Sequence, residues 1–265
     1  MDAAEGGSAD DAGGQVMENR EFYIPDDGIR LHAKLDFPAE EKEKYPLVIL
    51  FHGFTGHMEE RHIVGVADAL RSIGCATLRV ELYGHGQSEG AFRDHTLFKW
   101  LSNALAVVDY AKSLEFMDGL YIAGHSQGGL LAALTGAMEQ DSVDALILLS
   151  PALMIPETAR GNFAPGDRIP ENLYLTGSSA VCGNYARAAR LLYVQPLLQS
   201  FRKPVLLVHG SLDEAVPLHY SEDAARQYEN AALVIIPDDD HCYDAHLDEV
   251  EAAVIDFMLS RAKGR

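Results

Sequence analysis

From Arg20 onward, short apolar runs alternate with amphipathic stretches, the pattern of an α/β protein in which strands and helices follow one another. Residues 20–24 and 29–37 read as a strand pair joined through the turn-forming Pro25-Asp26-Asp27-Gly28. Leu47-Val48-Ile49-Leu50-Phe51 is apolar without a break, as a strand covered on both faces must be. A helix is expected over 59–72 and a strand over 76–80. A long helix is expected over 96–114, where Leu97, Trp100, Leu101, Leu105 and Val108 share one face. Further strands are read at 119–123, 143–149, 205–208 and 233–236, and further helices at 129–138 and 250–261. No internal repeat is visible.

Residues 151–200 break the rhythm. Pro151, Pro156, Pro165, Pro170 and Pro196 punctuate a stretch with no clean strand, too long for a simple connection. It reads as a cap inserted over the C-terminal edge of the sheet, with 19–150 and 201–265 forming the core domain. Met154, Ile155, Phe163, Tyr174, Tyr185 and Tyr193 give this insert the apolar and aromatic content of a pocket wall, or of a small core of its own.

The chain of 265 residues is 48% hydrophobic and 23% charged, the balance of a soluble globular protein of one large domain. Its formal net charge of −19 argues against nucleic acid or an anionic membrane surface as a partner. No apolar run reaches the roughly 20 residues of a membrane span. The opening, acidic and glycine-rich, has neither the basic start nor the apolar stretch of a signal peptide. Residues 1–18 are expected to be a disordered acidic tail, with Met17 a candidate original start. Three scattered cysteines, Cys75, Cys182 and Cys242, suggest neither a disulfide framework nor a zinc site, and point to a reducing, cytoplasmic compartment.

The chemistry begins at Gly124-His125-Ser126-Gln127-Gly128. It lies between a predicted strand and a predicted helix, where a nucleophile elbow holds its serine on a tight backbone with the hydroxyl exposed. The bare G-x-S-x-G pattern arises by chance in roughly one such sequence in ten; its strand–turn–helix setting is what gives it weight. Serine needs a base, normally a histidine oriented by a carboxylate. Among eleven histidines, His241 follows the last predicted strand, in a loop that returns to the edge carrying Ser126. Asp213 follows the strand at 205–208, with Glu214 beside it as an alternative. The order Ser126, Asp213, His241 is that of the α/β-hydrolase architecture. Asp238, Asp239 and Asp240 are expected to shape the loop of His241, and His52 and His85 to brace loops. An oxyanion hole requires two preset backbone N–H groups, for which Gln127 and Phe54 are the candidates. Nothing in the spacing of His, Cys, Asp or Glu implies a metal, and no cofactor is implied.

Taken together, His52-Gly53-Phe54-Thr55, Gly84-His85-Gly86, Gly124-His125-Ser126-Gln127-Gly128-Gly129, Asp213 and Asp240-His241-Cys242 resemble the bacterial cinnamoyl (feruloyl) esterases of the α/β-hydrolase superfamily. The resemblance runs from about Arg20 to the C-terminus. It implies an α/β-hydrolase fold with a mostly parallel eight-stranded sheet, flanking helices and an inserted cap. It also implies an oxyanion hole of Phe54 and Gln127 N–H groups, an insert that recognises an aromatic acyl group, and a homodimer. Tyr185 falls where the family contacts the phenol end of the substrate. Glu157 falls where relatives carry an aspartate for the ring hydroxyls, and Ala164 departs from a polar residue in relatives. The expected activity is hydrolysis of small hydroxycinnamate esters by a Ser-His-Asp triad. A broad carboxylesterase or monoacylglycerol lipase would share every catalytic part. A non-catalytic hydrolase-fold binding protein would not react with a fluorophosphonate probe. Dehalogenase and epoxide hydrolase chemistry is excluded by serine, rather than a carboxylate, at position 126.

Overall fold

Side-chain alternation along strand β3 (Tyr45–Phe51) sets the layers of the molecule. Leu47, Ile49 and Phe51 join a core on one side, Val48 and Leu50 a core on the other. Both sets are fully buried, so each face of the sheet requires a cover. Helices α2 (Leu97–Lys112) and α3 (Gln127–Met138) cover the first, through residues such as Trp100, Val107 and Leu131. Helices α1 (Arg61–Ser72) and α8 (Leu247–Ala262) cover the second, through Val66, Leu70, Val250 and Val254. This computed structural model describes residues 18–176 and 179–262. The acidic tail expected at the N-terminus lies, but for its last residue, outside the described residues. No helix among them is long and apolar enough to cross a membrane.

The sheet has eight strands: β1 (Arg20–Asp26), β2 (Ile29–Asp36), β3, β4 (Ala76–Val80), β5 (Met117–His125), β6 (Ala145–Leu149), β9 (Val205–Gly210) and β10 (Ala231–Ile236). Their order is β1-β2-β4-β3-β5-β6-β9-β10. β2 runs antiparallel to both β1 and β4, and every other pairing is parallel. Register pairs Phe51 with Gly124, His125 with Leu149, Leu149 with Val208, and Gly210 with Ile236. The loops after β3, β5, β6, β9 and β10 therefore open at one edge, the usual place for a ligand in a parallel sheet.

Between β6 and β9 lies the insert: α4 (Ile155–Asn162), β7 (Asn172–Thr176), β8 (Ser179–Cys182), α5 (Asn184–Ala189) and α6 (Val194–Ser200). The expectation of no strand here is corrected by the antiparallel pair β7–β8, in which Leu173 faces Val181. Among the described side chains each strand buries one, so no apolar run announces it. Helix α7 (His219–Gln227) was likewise invisible to periodicity, because only Ser221 and Ala224 face inward.

Candidate active site

β5 ends at His125 and α3 starts at Gln127, so Ser126 alone makes the turn. Its φ of 56° and ψ of −119° lie where non-glycine residues are strained. Such strain persists only when the surroundings impose it. Here the Ser126 N–H donates to the Leu149 carbonyl at 2.9 Å, while the Ser126 carbonyl accepts from Leu130 N–H at 3.1 Å and Ala152 N–H at 2.9 Å. The glycines around it are steric requirements. A Cβ at Gly124 would stand 2.1 Å from the Gly128 carbonyl oxygen, and one at Gly128 would stand 2.3 Å from that of His52. Backbone cannot retreat as a side chain can.

Ser126 and His241 open onto the same cavity, of about 450 Å³, at the C-terminal edge of the sheet. Behind His241, its Nδ1 lies 2.7 Å from Asp213 Oδ2. The Asp213 side chain is fully buried, and its Oδ1 accepts the N–H groups of Ala215 and Val216 at 2.9 and 2.8 Å. Burial alone would raise the pKa of this carboxyl. The hydrogen bonds from His209, His241 and the Val216 N–H outweigh burial and hold it well below the usual carboxylate range. His209 was not foreseen. It is fully buried, with Nδ1 2.7 Å from Ser221 Oγ and Nε2 3.2 Å from Asp213 Oδ2. The only trace of it in the sequence is a histidine four positions before the acid, at the end of β9.

The loop carrying His241 is fixed from within. Asp239, buried, accepts N–H groups from Asp240, Ala245 and His246, and Asp240 Oδ1 accepts those of Cys242 and Asp244. Tyr243 plunges into the core, its hydroxyl donating to the Val208 carbonyl at 2.9 Å and lying 2.8 Å from Ser150 Oγ. His125, the residue before Ser126, has its Nε2 2.8 Å from the His241 carbonyl oxygen. Its burial, reinforced by His62 and His241 nearby, drives its pKa well below the ordinary value, so it stays neutral and donates this bond. His52 is buried with Nδ1 2.8 Å from the Gly53 carbonyl oxygen, and its Nε2 takes the Leu82 N–H at 3.1 Å. Burial holds its pKa at about 3, so it braces the loop that carries Phe54.

Phe54 and Gln127 both line the cavity, and Gln127 opens α3, where N–H groups have no intrahelical partner. Tyr185 lines it too, from α5, with its hydroxyl donating to Gln127 Oε1 at 2.6 Å. Its proton is thus engaged, which leaves the oxygen free only to accept. Glu157 requires a correction. Along α4, Ile155, Thr158, Ala159 and Asn162 face the cavity, as the spacing of one helical face demands. Pro156, Glu157 and Arg160 face a separate cleft on the other side of the helix. Glu157 is exposed there and bonds Tyr220. Ala164 is exposed and does not line the cavity.

The family model described as serine aminopeptidase, S33, matches residues 42–178, and the one described as TAP-like protein matches 174–262. The structure of Est1E from Butyrivibrio proteoclasticus with ferulic acid bound is 53% identical, with a TM-score of 0.88 over 91% of this chain and 99% of that one. A second structure of Est1E is 51% identical, with a TM-score of 0.85 over 92% and 99%. Among curated relatives, the mitochondrial palmitoyl-protein thioesterase ABHD10 of Rattus norvegicus is 26% identical over 231 residues, 82% of this chain and 73% of that one. The chain is an ester hydrolase of the α/β-hydrolase superfamily and belongs to its cinnamoyl (feruloyl) esterase family.

Proposed function

We propose that the protein hydrolyses hydroxycinnamate esters through an acyl-enzyme, with Ser126 as nucleophile, His241 as general base and acid, and Asp213 as its anionic partner. The observation that carries the reading is the shared cavity. It holds the strained serine and His241 at its floor and an aromatic wall of Phe54, Phe163 and Tyr185 above them. Ser126 Oγ attacks the ester carbonyl while His241 Nε2 takes its proton. The developing oxyanion is met by the Phe54 and Gln127 N–H groups, already fixed by the braced loop and by the start of α3. His241 then protonates the departing alcohol, and water releases the acyl group by the same steps in reverse roles. Asp213, held ionised by its own hydrogen bonds, stabilises the imidazolium throughout. The likeness to a protein whose structure has ferulic acid bound supports the aromatic acyl preference. The deciding measurement compares kcat/KM for methyl ferulate, p-nitrophenyl butyrate and a monoacylglycerol on one preparation. A consistent preference for the short aliphatic ester would overturn the aromatic assignment in favour of a general carboxylesterase.

Tyr185 gives a sharper test of the acyl side. Its hydroxyl oxygen, with its proton committed to Gln127, can accept from a phenolic hydroxyl of the substrate. Tyr185→Phe is expected to lower kcat/KM for ferulate and caffeate esters more than for unsubstituted cinnamate. The differential should be about 0.5–1.5 kcal/mol, the worth of one neutral hydrogen bond. The same change leaves Gln127 Oε1 without its donor, a loss common to all three esters. Equal losses across the series would reduce Tyr185 to a wall residue that steadies Gln127.

A further inference from the structure

The cavity has two chemically distinct sides. The insert lines one with Ile155, Phe163, Leu173 and Tyr185, where an acyl chain or ring is removed from water. On the other, Glu60 and Cys242 lie beside His241. The direction of the reaction assigns them. The departing alcohol must receive its proton from His241, so the alcohol half of the ester lies on the side of His241. Glu60 is the one acidic residue lining the cavity among the described residues, and no lysine or arginine lines it.

Glu60 has one structural tie, a hydrogen bond to its carboxylate from the His57 backbone N–H. It precedes α1 at the N-cap position, yet its side chain makes no capping bond. Its Oε2 is buried with no hydrogen-bond partner among the described residues, and stands 3.8 Å from His62 Nε2, which is also unpartnered. Burial holds the His62 pKa at about 4, so the pair is not an ion pair at neutral pH. Gly56 makes the room, since a Cβ there would come within 2.3 Å of Glu60 Oε2. The carboxylate is close enough to His241 and Cys242 for its charge to act on both, and it adds to the burial that pushes the Cys242 thiol up to about 11. A small rotation of the carboxylate toward a hydroxyl in the cavity would give this oxygen the donor it lacks, and an unsatisfied buried acceptor costs free energy until it has one.

We propose that Glu60 selects the alcohol half of the substrate, accepting hydrogen bonds from the hydroxyls of a neutral polyhydroxy alcohol and rejecting an alcohol that carries its own carboxylate. The proposal rests on the serine-esterase reading above, which fixes the side from which the alcohol leaves. The net charge of −19 works in the same direction, repelling anionic esters before they reach the cavity. A site built to bond hydroxyls discriminates strongly because its polar groups are left unpaired by the wrong partner.

The test measures kcat/KM for methyl, glyceryl and quinate esters of one hydroxycinnamic acid on wild type, Glu60→Gln and Glu60→Ala. Methyl and glyceryl butyrate form a second acyl series. Wild type is expected to favour glyceryl over methyl by about 10-fold or more, the worth of one hydrogen bond to a charged acceptor, and to turn over the quinate ester at least roughly 10-fold more slowly than the glyceryl ester. Glu60→Ala should bring the glyceryl-to-methyl ratio close to unity. Glu60→Gln, which keeps the size and removes the charge, should raise the quinate-to-glyceryl ratio by on the order of 10-fold. A merely structural Glu60 scales all esters alike, and unchanged ratios in both variants would overturn the proposal. The two acyl series keep its failure separate from that of the proposed function. If the aromatic preference is wrong, ferulates are slow throughout, while the butyrate pair still reports on Glu60.

Discussion

Replacing Ser126 by alanine is expected to cut ester hydrolysis by on the order of 10⁴-fold or more and to leave the fold intact. The loss is large because no other group on the cavity floor can form the acyl-enzyme. His241, without a hydroxyl to deprotonate, can act only on water, and the Phe54 and Gln127 N–H groups then supply what catalysis remains. The fold survives because the elbow is held by backbone. The three hydrogen bonds of the Ser126 N–H and carbonyl do not involve the side chain, and alanine meets no more strain than serine at a φ of 56°. Labelling by a fluorophosphonate probe should disappear together with turnover, while the unfolding midpoint in urea stays put. A purified variant retaining a tenth of wild-type kcat would remove Ser126 from the mechanism. Wild-type protein that never labels would return the chain to the non-catalytic binding proteins.

The parts legible in the sequence are those that periodicity or a turn must write into it. The run 47–51 had to be apolar at every position because β3 is covered on both faces, and the glycines at 124 and 128 could be nothing else, since a Cβ at either would stand little more than 2 Å from a backbone oxygen. The order of Ser126, Asp213 and His241 followed from which strands end at the open edge of the sheet. What escaped was whatever depends on tertiary approach. His209 and His125 support their neighbours through polar contacts between distant elements of the fold or across a loop, and Glu60 meets the cavity only because Gly56 lets it lie close. Glu157 was misplaced by one helical face: position along α4 gave its neighbourhood, but a shift of one or two residues turns a side chain from one cleft to the other. The hairpin β7–β8 buries too little per strand to leave a pattern.

The fold itself is expected to fail steeply in mild acid, by a loss of stability comparable to the whole stability of a domain. Two groups of buried histidines flank the cavity. His52 and His95 surround Trp100 in one, and His62 and His125 meet edge to face with ring centroids 4.2 Å apart in the other. Burial, the largest cause in every case, lowers their pKa: His52 to about 3, His62 and His95 to about 4, and His125 well below its ordinary value. In the unfolded chain each takes up a proton near the ordinary ~6.5. Below that pH the unfolded state binds more protons than the native one, so stability falls as pH falls, by about 1.4 kcal/mol per unit for each group. The decline continues until the native histidines take up their own protons, near 4 for His62 and His95. Four such groups remove on the order of 5 kcal/mol by pH 5.5 and more by pH 5, against the roughly 5–15 kcal/mol of a typical domain. Asp213 adds to the loss only lower down, because stability from a depressed carboxylate is present above its unfolded value of ~4 and disappears below it. Urea midpoints followed by the fluorescence of the fully buried Trp100, from pH 7.5 to 5, measure the slope directly. His95→Phe should flatten that slope by one proton. Steepness also separates the fold from the chemistry: loss of a single catalytic base lowers kcat/KM tenfold per pH unit at most, whereas acid unfolding consumes several protons at once. A urea midpoint that does not move between pH 7.5 and 5 would show that these histidines are not neutral and buried as the structure has them.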